Sequence, residues 1–123
     1  MADRLELFQR TLETYRKHGW QLREVLATPE TRALLTEDLL GSVPVREFAL
    51  DAMWFARRAR GGVEAWELRL VSETPYALFE AFHEDDTEEQ RRERRRELEN
   101  ELRARCADKG TRMEDNGRRS SRS

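Results

Sequence analysis

The sequence predicts a single α+β domain built on a small antiparallel sheet. Three extended runs follow one another at roughly 46–58, 63–72 and 75–84, and the segments between them, ARGG and SETP, have turn chemistry. Helical patterns precede and follow these runs. We therefore expect a three-stranded meander plus one additional strand, an N-terminal helix, a short second helix and a long charged C-terminal helix.

The N-terminal helix is predicted to begin at a capping Asp3 and to end before Gly19. Its apolar residues recur at the helical interval, at Leu5, Phe8, Leu12 and Tyr15. The stretch GWQLREVLAT alternates only in part, because Val25 and Leu26 are adjacent. That pattern favours a strand with an irregularity, and a continued helix is the alternative.

A short second helix is predicted in TPETRALLTEDLLG. Thr28 can cap it, Pro29 stands at the favoured first helical position and Gly41 can close it. The next segment, SVPVREF, is expected to be an extended connector, because Pro44 disfavours helix in the residue before it.

The hairpin at Gly61 and Gly62 leaves its strand register open. A two-residue turn would place Phe55 opposite Leu68, whereas a three-residue loop ending at Gly62 would place Trp54 there. A slip of one residue exchanges the two faces of the strand, so the alternatives predict different cores.

The run 75–84 carries apolar side chains on both of its faces. One face has Tyr76, Leu78 and Phe82, and the other has Ala77, Phe79 and Ala81. This pattern predicts the most buried strand of the sheet, or a strand whose second face meets a helix or another chain.

A long C-terminal helix is predicted over 88–107. Thr87 and Gln90 have the spacing of a capping box, and strong helix formers follow them. The regular apolar stripe of this helix is narrow, consisting of Leu98, Leu102 and Cys106. So narrow a stripe leaves two alternatives open: the helix packs on the sheet, or it projects into solvent.

The domain is expected to comprise a globular core at 1–86 and the C-terminal helix at 87–107. Residues 108–123 have no periodicity and little apolar content, which predicts a disordered polar tail.

Charge is distributed unevenly between an acidic body and a mildly basic end. Residues 1–86 hold 11 Lys or Arg against 16 Asp or Glu, and residues 87–123 hold 12 against 9. Such a body lacks the positive field of a dedicated nucleic-acid binder.

With one cysteine and no long apolar run, the sequence predicts a cytoplasmic protein without a membrane span. The excess of Arg, 21 against 2 Lys, is interpreted mainly as a bias of codon composition.

No pattern of catalytic or cofactor-binding residues is present in the sequence. The acidic stretch HEDD at 83–86 consists of adjacent residues, which cannot all converge on one metal ion. Cys106 is remote in sequence from both histidines, and no GxSxG, P-loop or GxGxxG motif occurs. We therefore expect a protein that is not an enzyme and that needs no metal or cofactor.

The candidate contact residues are two tryptophans and four arginines, namely Trp54, Trp66, Arg57, Arg58, Arg60 and Arg69. Large amphipathic side chains anchor protein interfaces, and the sequence offers Trp20, Tyr76 and Phe79 in addition to the two tryptophans. The alternative is that all of these aromatic residues fill the core of a monomer. The sequence thus favours a protein-interaction module that binds a protein partner or forms a homodimer. The alternative is a weak nucleic-acid or anion binder that uses the arginine-rich hairpin 57–60, the basic C-terminal end and an exposed tryptophan as a stacking platform.

Overall fold

The computed structural model describes residues 3–74 and 76–112, and it confirms the α+β class. The elements in chain order are α1 Arg4–Lys17, β1 Gln21–Ala27, α2 Pro29–Arg32, α3 Glu37–Leu40, β2 Val45–Glu47, β3 Ala52–Arg58, β4 Val63–Leu70, β5 Tyr76–His83 and α4 Glu88–Arg112. The strands form one sheet in the order β2-β1-β3-β4-β5. Its neighbours are antiparallel except for β1 and β2, which run parallel.

The predicted N-terminal helix is confirmed as α1. The Asp3 carboxylate accepts a hydrogen bond of 2.8 Å from the Glu6 amide, and Gly19 follows the helix at a φ of 86°. The helix buries one face against the sheet, through Leu7, Phe8, Leu12 and Tyr15. Each of these large side chains contributes on the order of 2 kcal/mol by leaving water.

β1 is the irregular strand that the partial alternation predicted. Its register against β3 shifts between Leu22 and Glu24, which leaves Arg23 as the extra residue of a bulge. The Arg23 guanidinium lies over the Trp66 ring, 5.4 Å from its centroid.

The prediction of one short second helix is wrong, because two helices of one turn each stand in its place. The Thr28 hydroxyl caps α2 by accepting from the Thr31 amide, and the Thr36 hydroxyl accepts from the Leu39 amide at the start of α3. The sequence offers a capping threonine twice, and each starts its own helix.

The extended run predicted at 46–58 is also two elements rather than one. β2 pairs parallel to β1, and the Phe48 amide continues that ladder by donating to the Ala27 carbonyl at 2.9 Å. The chain then bends, and the Asp51 carboxylate accepts from the Thr28 amide at 3.0 Å before β3 begins. The expected sheet of four strands therefore has five.

The hairpin between β3 and β4 adopts the second of the two registers considered. Trp54 pairs with Leu68, and the loop comprises Arg60, Gly61 and Gly62. Both glycines have positive φ, 68° and 72°, which makes the loop unfavourable for other residues at these positions.

α4 begins with the predicted capping box, in which Thr87 and Gln90 exchange side-chain to backbone hydrogen bonds of 2.9 and 3.1 Å. The helix packs on the sheet through buried Leu98 and Leu102. It continues to Arg112, past its predicted end, so the residues 108–112 of the expected tail are helical. The remainder of that tail, 113–123, lies outside the described residues.

The sheet separates two apolar clusters, because α1 and α4 pack on opposite faces. The cluster under α1 takes its strand residues from β1 and β3, and they are Val25, Ala27, Met53 and Phe55. The cluster under α4 extends across β1, β3, β4 and β5, and its strand residues are Leu26, Ala52, Trp54, Ala56, Trp66, Leu68 and Phe82. On the side of the sheet where α1 lies, the half formed by β4 and β5 is consequently not covered by a helix.

Candidate interaction surface

The uncovered half of the α1 face is formed by alternate side chains of β4 and β5. We call it the open strip, and it consists of Ala65, Glu67, Arg69, Ala77, Phe79 and Ala81, of which Ala65 is buried, Ala77 and Phe79 are exposed and the other three are half-buried. Phe79 lies at its centre with 60% of its surface exposed. The prediction that this strand is the most buried of the sheet is therefore wrong, because β5 is an edge strand with only its α4 side covered. The sequence showed two apolar faces, but not that helix α1 would stop short of the second.

A polar cleft borders the open strip on its α1 side. Its lining residues are Leu7, Arg10, Thr11, Thr14, Arg69, Ser72 and Glu73. Arg69 lies over the Tyr15 ring, with its guanidinium carbon 5.6 Å from the ring centroid, and it also donates toward the Tyr15 hydroxyl. The strip thus combines an exposed aromatic ring with a guanidinium held in a fixed position, a mixture typical of protein interfaces.

Tyr15 connects α1 to the open strip. Its ring stacks on Phe55 with centroids 4.0 Å apart, and its hydroxyl donates to the Glu67 carboxylate. Burial, and then the hydrogen bond to Glu67, raise the pKa of Tyr15 to about 12. The neutral phenol is therefore the form that the folded protein favours.

This shift predicts a loss of stability in alkaline solution. Unfolded tyrosine ionises near pH 10, whereas Tyr15 in the folded chain resists ionisation to about pH 12. Its contribution is fully present below pH 10 and is lost as the pH rises through the folded pKa of about 12. Chemical unfolding of the wild-type chain and of Tyr15→Phe between these pH values should show a steeper decline for the wild type. Equal slopes would contradict the assignment.

The arginines predicted as contact residues do not converge on one point. Arg57 is engaged, because its guanidinium donates to the His18 carbonyl at 3.0 Å and lies 4.9 Å from the centroid of the Trp20 ring. Arg58 pairs in register with Glu64, and the exposed Arg60 stands in the turn. Arg69 lies at the far end of the hairpin, roughly 13 Å along the strands from Arg57. The hairpin and Arg69 are therefore separate features.

Both predicted tryptophans are buried. Trp54 has 0% and Trp66 7% of its surface exposed. The Trp54 indole nitrogen donates to Glu99 at 2.8 Å, and the Trp66 indole nitrogen donates to Glu64 at 2.9 Å. Neither ring can be the exposed stacking platform that nucleic-acid binding would require, since both pack in the apolar cluster beneath α4.

The arginines of α4 explain how so narrow an apolar stripe packs on the sheet. Several of their guanidinium groups lie over aromatic rings of the sheet side, pairing Arg91 with Phe82, Arg95 with Trp66, Arg103 with Phe48 and Arg105 with Tyr76. Planar guanidinium groups cover rings in a way that ammonium groups do not. Codon composition alone therefore does not account for the arginines of this chain, because those of α4 have a structural role.

Glu99 is a buried structural residue that the sequence pattern did not reveal. It is 2% exposed, and its Oε2 atom accepts from Arg46 at 2.6 Å and from the Trp54 indole at 2.8 Å. Residue spacing within the helix cannot reveal these partners, which lie 53 and 45 residues away in the sequence. A glutamate directly after a buried leucine of the stripe was the only available signal.

No group of three or more His, Cys, Asp or Glu side chains is placed to hold a metal ion within 3–74 and 76–112. Among the same residues, no helix has the length and apolar content needed to cross a membrane. Cys106 is a partly buried free thiol beside the cluster under α4.

Comparison with known proteins adds no relative to this description. No protein-family model matches the chain, and neither the curated proteins nor the solved structures contain a match.

Proposed function

We propose that this chain is a small non-enzymatic protein-interaction module that works in the cytoplasm. It binds its partner through the open strip. The observation that carries the proposal is the exposure of Phe79 on the half of a sheet face that α1 leaves uncovered. A large aromatic ring in such a position costs solubility unless a partner buries it.

Two further features support this location. The strip is flanked by the cleft that contains Arg69 and Thr14, so a partner would meet a polar rim beside an apolar centre. The other exposed large apolar side chain among the described residues is Leu34, at 49% exposure, and it lies in the turn after α2 on a different part of the surface. Leu34 therefore provides a matched control position.

Site-specific photocrosslinking tests the proposal. A benzophenone amino acid placed at Phe79 should capture a protein partner in cells that produce the chain, and the same probe at Leu34 should not. The mass of the product distinguishes a second copy of this chain from a different protein. Equal capture at both positions, or capture at Leu34 alone, would refute the open strip as the binding surface.

The competing function, a weak nucleic-acid or anion binder, has less support. Arg57 is already bound to Trp20 and to the His18 carbonyl, and Glu64 and Glu84 stand beside Arg58. Single-stranded RNA bound there would alter the fluorescence of Trp20. Such a change at about 50 mM salt, where phosphate contacts are strongest, would favour this alternative.

A further inference from the structure

The two edges of the sheet differ in how well they are protected against another strand. β2 forms one edge and is only three residues long, with charged Arg46 and Glu47 among them. β5 forms the other edge, is eight residues long and pairs with β4 without any shift of register. It contains no lysine, proline or bulge, the devices by which natural proteins usually block an exposed edge.

The direction of the free backbone groups of β5 follows from the hydrogen bonds at its end. The Glu84 amide donates to the Gly62 carbonyl, so position 84 faces β4. The His83 amide instead donates to the Asp86 carboxylate at 2.8 Å, and the His83 carbonyl accepts from Arg91 at 2.6 Å. Since backbone groups alternate along a strand, those of Ala81, Phe79 and Ala77 point away from the sheet like those of His83.

The residues whose backbone amide and carbonyl groups face outward form a segment of β5 that is limited at both ends. At His83 the amide and the carbonyl are occupied within the chain, by Asp86 and Arg91. On the other side, β5 begins at Tyr76, so Ala77 is the first strand residue whose backbone groups point outward. The segment available for pairing is therefore Ala77 to Ala81, and Phe79 is its midpoint.

We infer that this segment pairs antiparallel with the same segment of a second copy, about a two-fold axis through Phe79. Phe79 then lies opposite Phe79 of the second copy, and Ala77 lies opposite Ala81 in both directions. Each of these three pairs exchanges two backbone hydrogen bonds, giving about six in total. A segment symmetric about its own centre fits a copy of itself, which is the reason for preferring this partner over an unrelated strand.

The side chains permit the same arrangement. On the α1 side, two alanine pairs flank the two phenylalanine rings, which bury each other's exposed surface. On the α4 side, Glu80 comes opposite Leu78 of the second copy rather than opposite another carboxylate. Glu80 is already neutralised by Arg94 at 2.9 Å. No like charges therefore face each other across the new pairing.

This inference rests on the proposed function and names the partner of the same surface. It also changes the shape of that surface. Two open strips would join into one continuous area, four strands wide, with an apolar centre and with Glu67 and Arg69 of each copy beside it. A different protein bound to the open strip would satisfy the proposed function without this dimer, so failure of the pairing does not by itself refute the proposed function.

Sedimentation and cysteine crosslinking test the inference on the full chain with Cys106→Ala as background. The Cys106→Ala chain should sediment as a dimer. Under oxidation, Phe79→Cys should form a disulfide-linked dimer, because its Cα atoms would be about 5.5 Å apart, within disulfide range. Ala77→Cys alone should not crosslink, since its copies would lie roughly 13 Å apart along the strands. A mixture of Ala77→Cys and Ala81→Cys should crosslink.

The outcomes separate the possibilities. A chain that sediments as a monomer up to submillimolar concentration overturns the inference, while photocrosslinking of a different protein at position 79 would leave the proposed function standing. A dimer in which Ala77→Cys crosslinks alone, or in which neither Phe79→Cys nor the mixture crosslinks, overturns the pairing register. Circular dichroism establishes that each variant is folded. If Phe79→Cys does not fold, the mixture of Ala77→Cys and Ala81→Cys tests the same register.

Discussion

Replacing Glu99 with alanine is expected to lower the free energy of unfolding by about 2–3 kcal/mol, because it leaves a buried hydrogen-bond donor without its acceptor. The substitution removes the acceptor of both Arg46 and the Trp54 indole. Arg46 keeps Glu24 as a second partner at 2.9 Å, but the buried indole nitrogen loses its acceptor in a region that water does not reach. Alanine is the best helix former, so the loss cannot be attributed to helix propensity.

The matched control is Glu97→Ala, two residues earlier in α4. Glu97 also forms an ion pair, with Arg94 at 2.8 Å, but its side chain is largely exposed. Exposed pairs contribute about 0–1 kcal/mol. Denaturant unfolding of both variants gives the comparison, and a double-mutant cycle with Arg46→Ala isolates the coupling. If Glu99→Ala costs no more than Glu97→Ala, then α4 does not depend on this carboxylate for its position on the sheet.

The second large effect is expected at Asp51, whose replacement by alanine should cost roughly 2–3 kcal/mol through the hydrogen bonds it leaves unmade. This buried carboxylate accepts from the Thr28 amide at 3.0 Å and from the Thr31 hydroxyl at 2.8 Å, and it pairs with Arg4 at 3.3 Å. It therefore connects three parts of the chain: the start of α1, the cap of α2 and the approach to β3.

Asp51→Asn retains one acceptor oxygen and should cost less than Asp51→Ala. Asp38→Ala, at an exposed position of α3, serves as the control and should lie within about 0.5 kcal/mol of the wild type, as most surface changes do. Thermal and denaturant unfolding provide the measurement. Equal stabilities for Asp51→Ala and Asp38→Ala would show that the network around Asp51 contributes nothing.

Elements with a local signal could be predicted from the sequence. The cap at Asp3, the box formed by Thr87 and Gln90, and the irregularity of β1 each depend on residues a few positions apart, so the amino acids present determine them. The hairpin register was reduced to two alternatives by its glycines. Only the packing of Trp54 under α4, which involves a distant element, decides between those two alternatives.

Features that depend on distant partners could not be predicted. The run 46–58 reads as one strand because its apolar residues continue through the bend, and the break is set by hydrogen bonds to Ala27 and Thr28. The exposure of Phe79 depends on how far α1 reaches across the sheet, which no alternation within β5 encodes. The candidate contact residues were consequently placed mainly around the arginine hairpin, and of them only Arg69 lies in the open strip.

The shortness of β2 has a consequence for how far strand addition can proceed. An edge strand of three residues with two charges gives an incoming chain too few backbone groups and a penalty for dehydrating ions. A molecule that accepts a strand on β5 thus offers no equivalent site on its opposite side. Strand addition of the kind proposed for β5 would therefore stop at a closed dimer instead of continuing into a fibre.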